Sequence, residues 1–279
     1  MCKSVEVFGI YVYIYDWLNV IGGVALILSN LMLYYRKCDD LSVFSKAIVR
    51  KKKKRGLMSD VRFYAFVEMF ILSLAELLIC IIACRCWGKL LSDSYSNFFG
   101  IIYFFPFVFY FVCCLFCDDP LHQLDIMTPS IAIMLFFFKW GCFFNGCCFG
   151  YELTSSFYYN IFTERYELPL QLFEAFSAAI IWACLTLYNR SEKKKTGRTF
   201  PLFILFYCSI RFILEFFDEE YSIGIGRITS YHPQCLAGIV LGITELWFIS
   251  HHAEKIPVLE ISLSKKGKRS HPKTHNKKK

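Results

Sequence analysis

Seven polar side chains stand out in this sequence because they lie within or beside long apolar stretches. They are Lys139, Asn145, Gln171, Glu174, Tyr207, Arg211 and Glu215. A charge inside a membrane segment costs roughly 2.5–3.5 kcal/mol on insertion scales, so such a group normally faces a cavity or a partner. Tyr207, Arg211 and Glu215 are spaced four residues apart and therefore share one helix face. These residues predict a polar site inside an apolar protein.

The chemistry that these side chains could perform concerns phosphate. The planar fork of the Arg211 guanidinium suits two phosphate oxygens, and Lys139 would add a point charge. Together the two cations would form a low-dielectric site for a dianion or a phosphodiester. The alternative is an internal Arg211–Glu215 ion pair that holds two helices together.

The elements that must position this site are membrane spans. Hydrophobic residues make up 56% of the 279 residues, and the chain contains 30 Phe and 17 Tyr. Seven apolar stretches each approach the ~20 residues that cross the ~30 Å hydrocarbon layer. The stretches are about Val7–Tyr35, Phe63–Ala83, Phe98–Phe116, Thr128–Cys148, Leu170–Tyr188, Phe200–Phe217 and Cys235–Ile249. The sequence therefore predicts an all-α polytopic membrane protein with about seven transmembrane helices.

Basic residues predict how these spans are oriented. Ten Lys or Arg lie from 36 to 62, five from 190 to 198, and nine from 255 to the C-terminus. These segments follow spans one, five and seven, so the positive-inside bias makes them cytoplasmic and puts the N-terminus outside. We expect a membrane domain at 1–254 and a basic, disordered cytoplasmic tail at 255–279. No cleavable signal is expected, because the first stretch is too long and no basic n-region precedes it.

The same basic segments could contact one of two anionic partners. Lysine runs beside membrane spans are topology determinants that touch anionic membrane lipid. Nucleic acid is the alternative, and we do not expect it as a partner.

Three segments at the ends of the fourth, fifth and sixth stretches resemble the motifs of a known family. In order, they read LDIMTPSIAIMLFFFKWGCFFNGCCFG, LPLQLFEAF and FILFYCSIRFILEFF. Together they are similar to the signature of the prolipoprotein diacylglyceryl transferase family, whose topology also has seven spans and an external N-terminus. The resemblance covers Asp125 to Phe217, the motif-bearing core of the membrane domain.

This sequence can be compared with the family's motifs position by position. The positions that agree with the family's motifs are Asp125, Pro129, Gly141, Phe143, Asn145, Gly146, Pro169, Gln171, Leu172, Glu174, Tyr207, Arg211, Phe212, Glu215 and Phe216. Lys139 stands where the family has its phosphate-binding arginine, and Cys147 replaces the motif's glutamate. Cys142 replaces an asparagine, and Leu168 replaces a histidine. If NFFGIIY corresponds to the family's His-Gly-Gly segment, Phe99 occupies the histidine position.

The resemblance implies an enzyme that moves the diacylglyceryl group of phosphatidylglycerol onto a cysteine thiol in the signal peptide of a lipoprotein precursor. Glycerol phosphate leaves, and no cofactor takes part. Such an enzyme lies in a bacterial-type plasma (inner) membrane, with its active face extracytoplasmic. The resemblance gives catalytic roles to Tyr207, Arg211 and Glu215. It gives phosphatidylglycerol binding to Lys139, Asn145, Gly146, Gln171, Glu174 and Arg211.

Two other functions are alternatives to this enzyme. A phospholipid-binding protein of the same fold, without turnover or with an altered acceptor, would use the same polar site. The histidine missing at Phe99 supports it, because a general base usually contributes about 10²–10⁴-fold to rate. His232 is a candidate substitute base, although an interfacial histidine without a role is the favoured interpretation. A thiol-based membrane oxidoreductase would use the outer cysteines but has no C-x-x-C pair at that end.

The chain contains 14 cysteines, which are not spaced like a soluble zinc site. Cys142, Cys147 and Cys148 lie together at the outer end of the fourth stretch. Close helix packing beside the neighbouring glycines is their favoured role. A disulfide, a metal site and thiol chemistry are the alternatives. The sequence-based expectation is that no metal is bound.

Overall fold

Seven α-helices make up most of the chain that the structure describes. A computed structural model describes residues 4–7, 10–35, 61–91, 97–117, 119–152, 158–160, 164–191, 195–218 and 228–252. The helices are α1 (Ile14–Tyr35), α2 (Val61–Leu90), α3 (Phe99–Phe116), α4 (Pro120–Asn145), α5 (Leu170–Arg190), α6 (Thr199–Glu215) and α7 (Tyr231–His252). Two antiparallel hairpins are formed by β1 (Ser4–Val7) with β2 (Ile10–Tyr13), and by β3 (Tyr159–Asn160) with β4 (Arg165–Tyr166).

The predicted fold class is confirmed by these helices. Each of the seven apolar stretches contains one helix, and five of the described helices are long and apolar enough to cross a membrane. The orientation of the spans stays a prediction. The predicted tail at 255–279 lies outside the described residues, as does most of the basic segment from 36 to 62.

Two predicted helix starts were wrong, each for a local reason. The first helix begins at Ile14 rather than Val7, because residues 4–13 contain β-branched and aromatic residues that pair as a hairpin. The fourth begins at Pro120 rather than Thr128. Its Asp119 side chain accepts a hydrogen bond from the backbone N–H of His122 (3.0 Å), and proline suits the first helical position.

The central helix of the bundle is α4. It contacts α1, α3, α5 and α6, and its buried residues include Ile131, Ala132 and Leu135. In contrast, α7 contacts mainly α6 and leaves Val240 and Trp247 exposed. Large apolar side chains on an outer helix face suit a hydrocarbon surrounding. The polar side chains of the predicted site lie on three of these helices, α4, α5 and α6.

Two close helix contacts require glycine. A Cβ atom on Gly100 of α3 would lie 2.0 Å from the carbonyl oxygen of Ala83 in α2, and one on Gly238 of α7 would lie 2.5 Å from Cys208 Sγ in α6. Membrane helices often associate through small residues, which let the backbones approach closely. The second contact holds α7 against the helix that carries Tyr207.

A buried polar network joins α1, α2 and α4 inside the bundle. Asn30 Nδ2 donates to Glu76 Oε2 (2.6 Å) and to Ser73 Oγ (3.2 Å). Ser130 Oγ lies 2.8 Å from Glu76 Oε1 and also contacts the carbonyl oxygen of Met127. Polar side chains inside a membrane bundle bind neighbouring helices by such hydrogen bonds. This network sets the position of α4 relative to the first two helices.

Asp125 fixes the connection between α5 and α6 to the beginning of α4. Its carboxylate accepts the backbone N–H groups of Gly197 (2.7 Å) and Thr199 (2.9 Å). Asn189 Nδ2 donates to the Asp125 carbonyl oxygen (2.6 Å), and Asn189 Oδ1 accepts from Thr199 Oγ1 (2.7 Å). The three site-bearing helices are therefore joined at the end opposite to Lys139 and Arg211.

Candidate functional site

The site begins where α4 ends. Gly146 takes a left-handed conformation (φ 75°, ψ 35°), and its N–H bonds the carbonyl oxygens of Cys142 and Phe143. Glycine is the usual residue for this helix-ending turn, because it carries no Cβ. The turn brings Cys147 back over the last turn of the helix, where its N–H reaches the Cys142 carbonyl oxygen at 3.2 Å.

Glu174 brings the two predicted phosphate-binding cations together. Its Oε2 atom lies 2.7 Å from Lys139 Nζ, and its Oε1 atom forms an ion pair with Arg211 Nη1. The three residues come from α5, α4 and α6, and each is at most 8% exposed. A carboxylate that contacts both cations explains how their charges are tolerated inside an apolar bundle.

Arg211 has two further acidic partners. Its Nη2 atom lies 2.6 Å from Glu215 Oε2, one helical turn along α6, and 3.6 Å from Asp218 Oδ2. The Arg211–Glu215 pair that the sequence suggested as an alternative is therefore present, within a larger cluster. Among the described residues this ion cluster contains two cations and three carboxylates. Asp218 was missed by the sequence analysis, although its spacing of three residues from Glu215 and seven from Arg211 continues the helical period of these residues beyond the helix end.

Thr229 and His232 extend the ion cluster toward α7. Thr229 Oγ1 donates to Glu215 Oε1 (2.6 Å), and the Thr229 backbone N–H donates to His232 Nδ1 (3.0 Å). Since Nδ1 accepts, a neutral His232 carries its proton on Nε2. The sequence analysis favoured no role for this histidine, and the structure places it two hydrogen bonds from Glu215. Thr229 was missed because a lone threonine before a helix usually serves only as a cap.

Aromatic rings form the wall beside the ion cluster. The Tyr207 ring packs against Phe98 (centroids 4.9 Å apart) and Phe99 (6.1 Å). Phe99 is 2% exposed and stacks on Tyr231. The position that would carry the family's histidine thus lies next to Tyr207, and an apolar ring occupies it.

A small cavity, partly open to the surroundings, lies between α5 and α6. Its lining residues are Glu174, Ser177, Ala178 and Ile181 from α5, and Tyr207, Ile210 and Arg211 from α6. The charged groups belong to its Glu174 and Arg211 end, and apolar side chains follow along the helices. This distribution suits an amphiphile whose charged group meets the ion cluster while its chains lie against apolar surface.

Three thiols form a second group at the end of α4, which we call the cysteine cluster. The Sγ atoms of Cys142, Cys147 and Cys148 all lie within 4.8 Å of one another. The Cys147 thiol donates a hydrogen bond to the Cys142 carbonyl oxygen (3.6 Å). Asn145 Nδ2 reaches Cys147 Sγ at 4.0 Å, and Gln171 Nε2 donates to the Cys147 carbonyl oxygen.

The predicted site residues therefore divide between two neighbouring groups. The structure brings Lys139, Glu174, Tyr207, Arg211 and Glu215 together around the ion cluster. It places Asn145, Gly146 and Gln171 at the cysteine cluster instead. The two groups are adjacent because Lys139 and Cys142 are one turn apart on α4, as are Gln171 and Glu174 on α5.

Buried charges from three consecutive helices, at one end of an apolar bundle, define a polytopic membrane protein with a buried ion cluster. The family model described as prolipoprotein diacylglyceryl transferase matches residues 94–248, more than half of the chain. The chain belongs to the prolipoprotein diacylglyceryl transferase family, as the motif resemblance predicted.

Three curated relatives are named phosphatidylglycerol–prolipoprotein diacylglyceryl transferase. The one from Rickettsia bellii is 35% identical over 135 residues, which cover 43% of this chain and 51% of the relative. The one from Clostridium tetani is 28% identical over 132 residues, covering 45% and 52%. The one from Streptococcus pyogenes is 25% identical over 134 residues, covering 45% and 51%. The chain thus spans about half the length of the curated relatives it matches.

Proposed function

We propose that this protein transfers the diacylglyceryl group of phosphatidylglycerol to the cysteine thiol of a lipoprotein precursor. The observation that carries the proposal is the contact of Lys139 and Arg211 with the same Glu174 carboxylate, which lines one end of the cavity between α5 and α6. Family membership and the names of the relatives support the same reaction.

The reaction is a displacement at carbon. The acceptor sulfur forms a bond to the glyceryl carbon while the bond from that carbon to the phosphate oxygen breaks. The departing glycerol phosphate gains negative charge, which Lys139 and Arg211 stabilise in a setting of low dielectric. Glu215 and Asp218 hold the guanidinium in place, since both contact Arg211 Nη2. Tyr207 faces the same cavity and is the neutral donor available to the phosphate.

The acyl chains have a path along the cavity. Ala178 and Ile181 of α5 and Ile210 of α6 continue the lining beyond the charged end. A lipid that enters sideways between α5 and α6 would keep its chains against these residues and its phosphate at Arg211. The cavity is too small to hold acyl chains, so we expect the chains to lie in the surrounding bilayer.

The location and orientation belong to the same proposal. We place the protein in a bacterial-type plasma membrane, with the ion cluster at the extracytoplasmic ends of α4 and α6 and the C-terminus in the cytoplasm. The signal peptide of the precursor would approach from that outer face. The charge bias of the basic segments supports this orientation and their contact with anionic lipid.

A second candidate function is binding of phosphatidylglycerol without transfer. The observation that favours it is the apolar Phe99 ring beside Tyr207, at the position where the family motif supplies a histidine. Such a protein would keep the lipid site and lack an efficient way to ionise the acceptor thiol.

The deciding experiment is a transfer assay. The purified protein is incubated in lipid with labelled phosphatidylglycerol and a signal peptide that carries one cysteine, and the lipidated peptide is measured by mass spectrometry. We expect transfer by the native chain and none by Arg211→Ala. Arg198→Ala is the matched control, because Arg198 lies at the other end of α6 and bonds Ser250. Bound lipid without transfer supports the second function. The absence of both transfer and bound lipid would contradict both functions.

A further inference from the structure

We propose that Cys142, Cys147 and Cys148 bind a zinc ion whose open fourth position takes the thiol of the acceptor peptide. Zinc binding stands on the geometry of the cysteine cluster alone. The role given to the open position rests on the proposed transfer function.

The sulfur positions suit zinc. Zinc–sulfur bonds are about 2.3 Å long, so three sulfurs around a tetrahedral zinc lie about 3.8 Å apart. The three Sγ atoms already lie within 4.8 Å of one another. Rotation of the Cys147 and Cys148 side chains closes the difference, because both follow the helix end and neither is fully buried. Thiolate ligands also select zinc over calcium or magnesium.

The backbone conformation after α4 brings these three sulfur atoms together. Gly146 and Cys148 both have positive φ values, 75° and 62°. A left-handed conformation is uncommon for a residue with a Cβ, and such conformations concentrate at functional sites. Here it follows directly after Cys147, whose N–H bonds the Cys142 carbonyl oxygen. A cysteine pair used only for helix packing needs no such turn.

The number of ligands indicates an open site. Within the described residues, the cysteine cluster contains no fourth histidine, cysteine or carboxylate. Structural zinc sites have four protein ligands, whereas catalytic sites have three and leave one position for water or substrate. Three cysteines in this arrangement therefore leave room for one more sulfur.

The surroundings of the cluster match what a metal site needs. The Asn145 amide points an N–H at Cys147 Sγ (4.0 Å), and Gln171 holds the Cys147 carbonyl oxygen. Such outer contacts orient ligands in metal sites. Zinc with three thiolates carries a charge of −1. Lys139 lies one turn before Cys142 on α4 and is the nearest cation along that helix, with its ammonium also paired to Glu174 (2.7 Å).

An open zinc position would replace the missing base. The acceptor thiol loses its proton to water on binding zinc, because a coordinating thiol is deprotonated. Its sulfur then bonds the glyceryl carbon, and the electron pair of the broken carbon–oxygen bond leaves with glycerol phosphate. The resulting thioether is neutral and a poorer ligand than the thiolate, so it dissociates from the metal. No oxidant or reductant is consumed.

The distance between the two groups fits this step. Cys142 lies three residues after Lys139 on α4, a rise of about 4.5 Å. The same interval separates Gln171, which holds Cys147, from Glu174, which binds Lys139. A sulfur bound at the cysteine cluster would therefore lie close to a phosphate at Lys139.

Zinc content tests the binding. The full-length protein is purified with reductant, loaded with Zn²⁺, freed of excess metal, and analysed for metal and for disulfides. We expect one zinc per chain, three zinc–sulfur bonds of about 2.3 Å by X-ray absorption, and loss of the metal in Cys142→Ser, Cys147→Ser and Cys148→Ser. Cys184→Ser, an exposed cysteine on α5, is the control and should retain the zinc. A chain with no zinc above the Cys147→Ser level, or with Cys142 in a disulfide after purification, overturns the site.

Cobalt reports on the open position. In the Co²⁺-loaded protein we expect the sulfur-to-cobalt absorption to strengthen when the cysteine peptide is added, and to stay unchanged with a serine peptide. An unchanged spectrum with both peptides overturns the role of the open position. Zinc binding without any lipid transfer would contradict the proposed function and leave the metal site standing. Transfer that survives both Cys147→Ser and chelation would contradict the catalytic role of zinc and leave the transferase standing.

Discussion

The Nζ atom of Lys139 lies 2.7 Å from Oε2 of Glu174, so this lysine is neutralised before any lipid arrives. The other oxygen of the same carboxylate binds Arg211. Two cations that would repel each other are thus held side by side, on helices α4 and α6. Under the proposed function, a phosphate that enters would share these cations with Glu174.

Glu174→Gln should destabilise the protein strongly. It leaves Lys139 without its carboxylate, and an orphaned buried charge costs about 3–5 kcal/mol, whereas Arg211 keeps its pairs with Glu215 and Asp218. We expect a large fall in thermal stability in detergent. The control is Glu152→Gln, which removes an exposed pair with Arg165 at 3.7 Å and should change stability by less than about 1 kcal/mol. Equal effects from the two variants would contradict the bridging role of Glu174.

Lys139→Arg should increase the amount of phosphatidylglycerol bound. A guanidinium can keep its contact with Glu174 and still offer N–H groups to a phosphate. One added charge-assisted hydrogen bond contributes about 1.5–3 kcal/mol, so affinity should rise about 10-fold or more. Bound lipid can be counted by mass spectrometry after purification. Lys195→Arg, an exposed position before α6, is the control, and a rise in both variants would point to bulk charge instead.

Arg211→Lys should keep only part of the lipid binding, because the charge survives and the two-oxygen geometry is lost. The same variant loses one of its contacts to Glu174, Glu215 or Asp218, since an ammonium cannot reach all three as the guanidinium does. Measuring lipid content and thermal stability on the same samples separates the two effects. Unchanged lipid binding in a destabilised Arg211→Lys protein would contradict a phosphate-binding role for Arg211. The ion cluster would then serve only the stability of the fold.

Thr229→Val should weaken the connection between α6 and α7. Valine has nearly the same side-chain shape as threonine but lacks the hydroxyl group, which donates a hydrogen bond to Glu215 Oε1 (2.6 Å). An unsatisfied buried acceptor costs about 1–3 kcal/mol. Thr244→Val is a matched control, because its exposed hydroxyl bonds only a carbonyl oxygen within α7. A comparable loss of thermal stability in both variants would show that the Glu215 contact contributes nothing.

Glu76→Leu should destabilise the protein more than Glu76→Gln. Glu76 Oε1 accepts a hydrogen bond from Ser130 Oγ (2.8 Å), and Glu76 Oε2 accepts one from Asn30 Nδ2 (2.6 Å). Glutamine keeps one acceptor oxygen for these two donors, whereas leucine removes both acceptors. A buried polar group left unsatisfied costs about 1–3 kcal/mol, so we expect the larger loss of thermal stability in Glu76→Leu. Equal losses in the two variants would contradict the hydrogen-bonding role of Glu76.

Part of this architecture could be predicted from sequence. The seven apolar stretches gave the helices because each is long and has few charges. Motif matches placed Lys139 and Arg211 at the same end of the bundle. The bridging by Glu174 could not be predicted, because it depends on how α5 is rotated between α4 and α6. Glu76 was overlooked, although an ionisable residue inside an apolar stretch is itself a signal of a polar network.

The convergence of the cysteines was also only partly visible. The sequence showed three cysteines near one helix end and favoured packing as their role. What decides their distances is the left-handed turn at Gly146 and Cys148, and a glycine in sequence does not say which way the chain turns after it. Orientation of the protein in the membrane stays a prediction.

Because Asp125 holds the α5–α6 connection, a small rotation of α5 around its attached end produces a larger displacement at its opposite end. Asn189 at the attached end of α5 is separated from Glu174 by about 22 Å of helix. A rotation of α5 by about 5° around that end would shift the Glu174 carboxylate by about 2 Å, comparable to the 2.7 Å that joins it to Lys139. A small tilt that leaves the Asp125 hydrogen bonds intact would therefore be enough to break the Lys139–Glu174 ion pair.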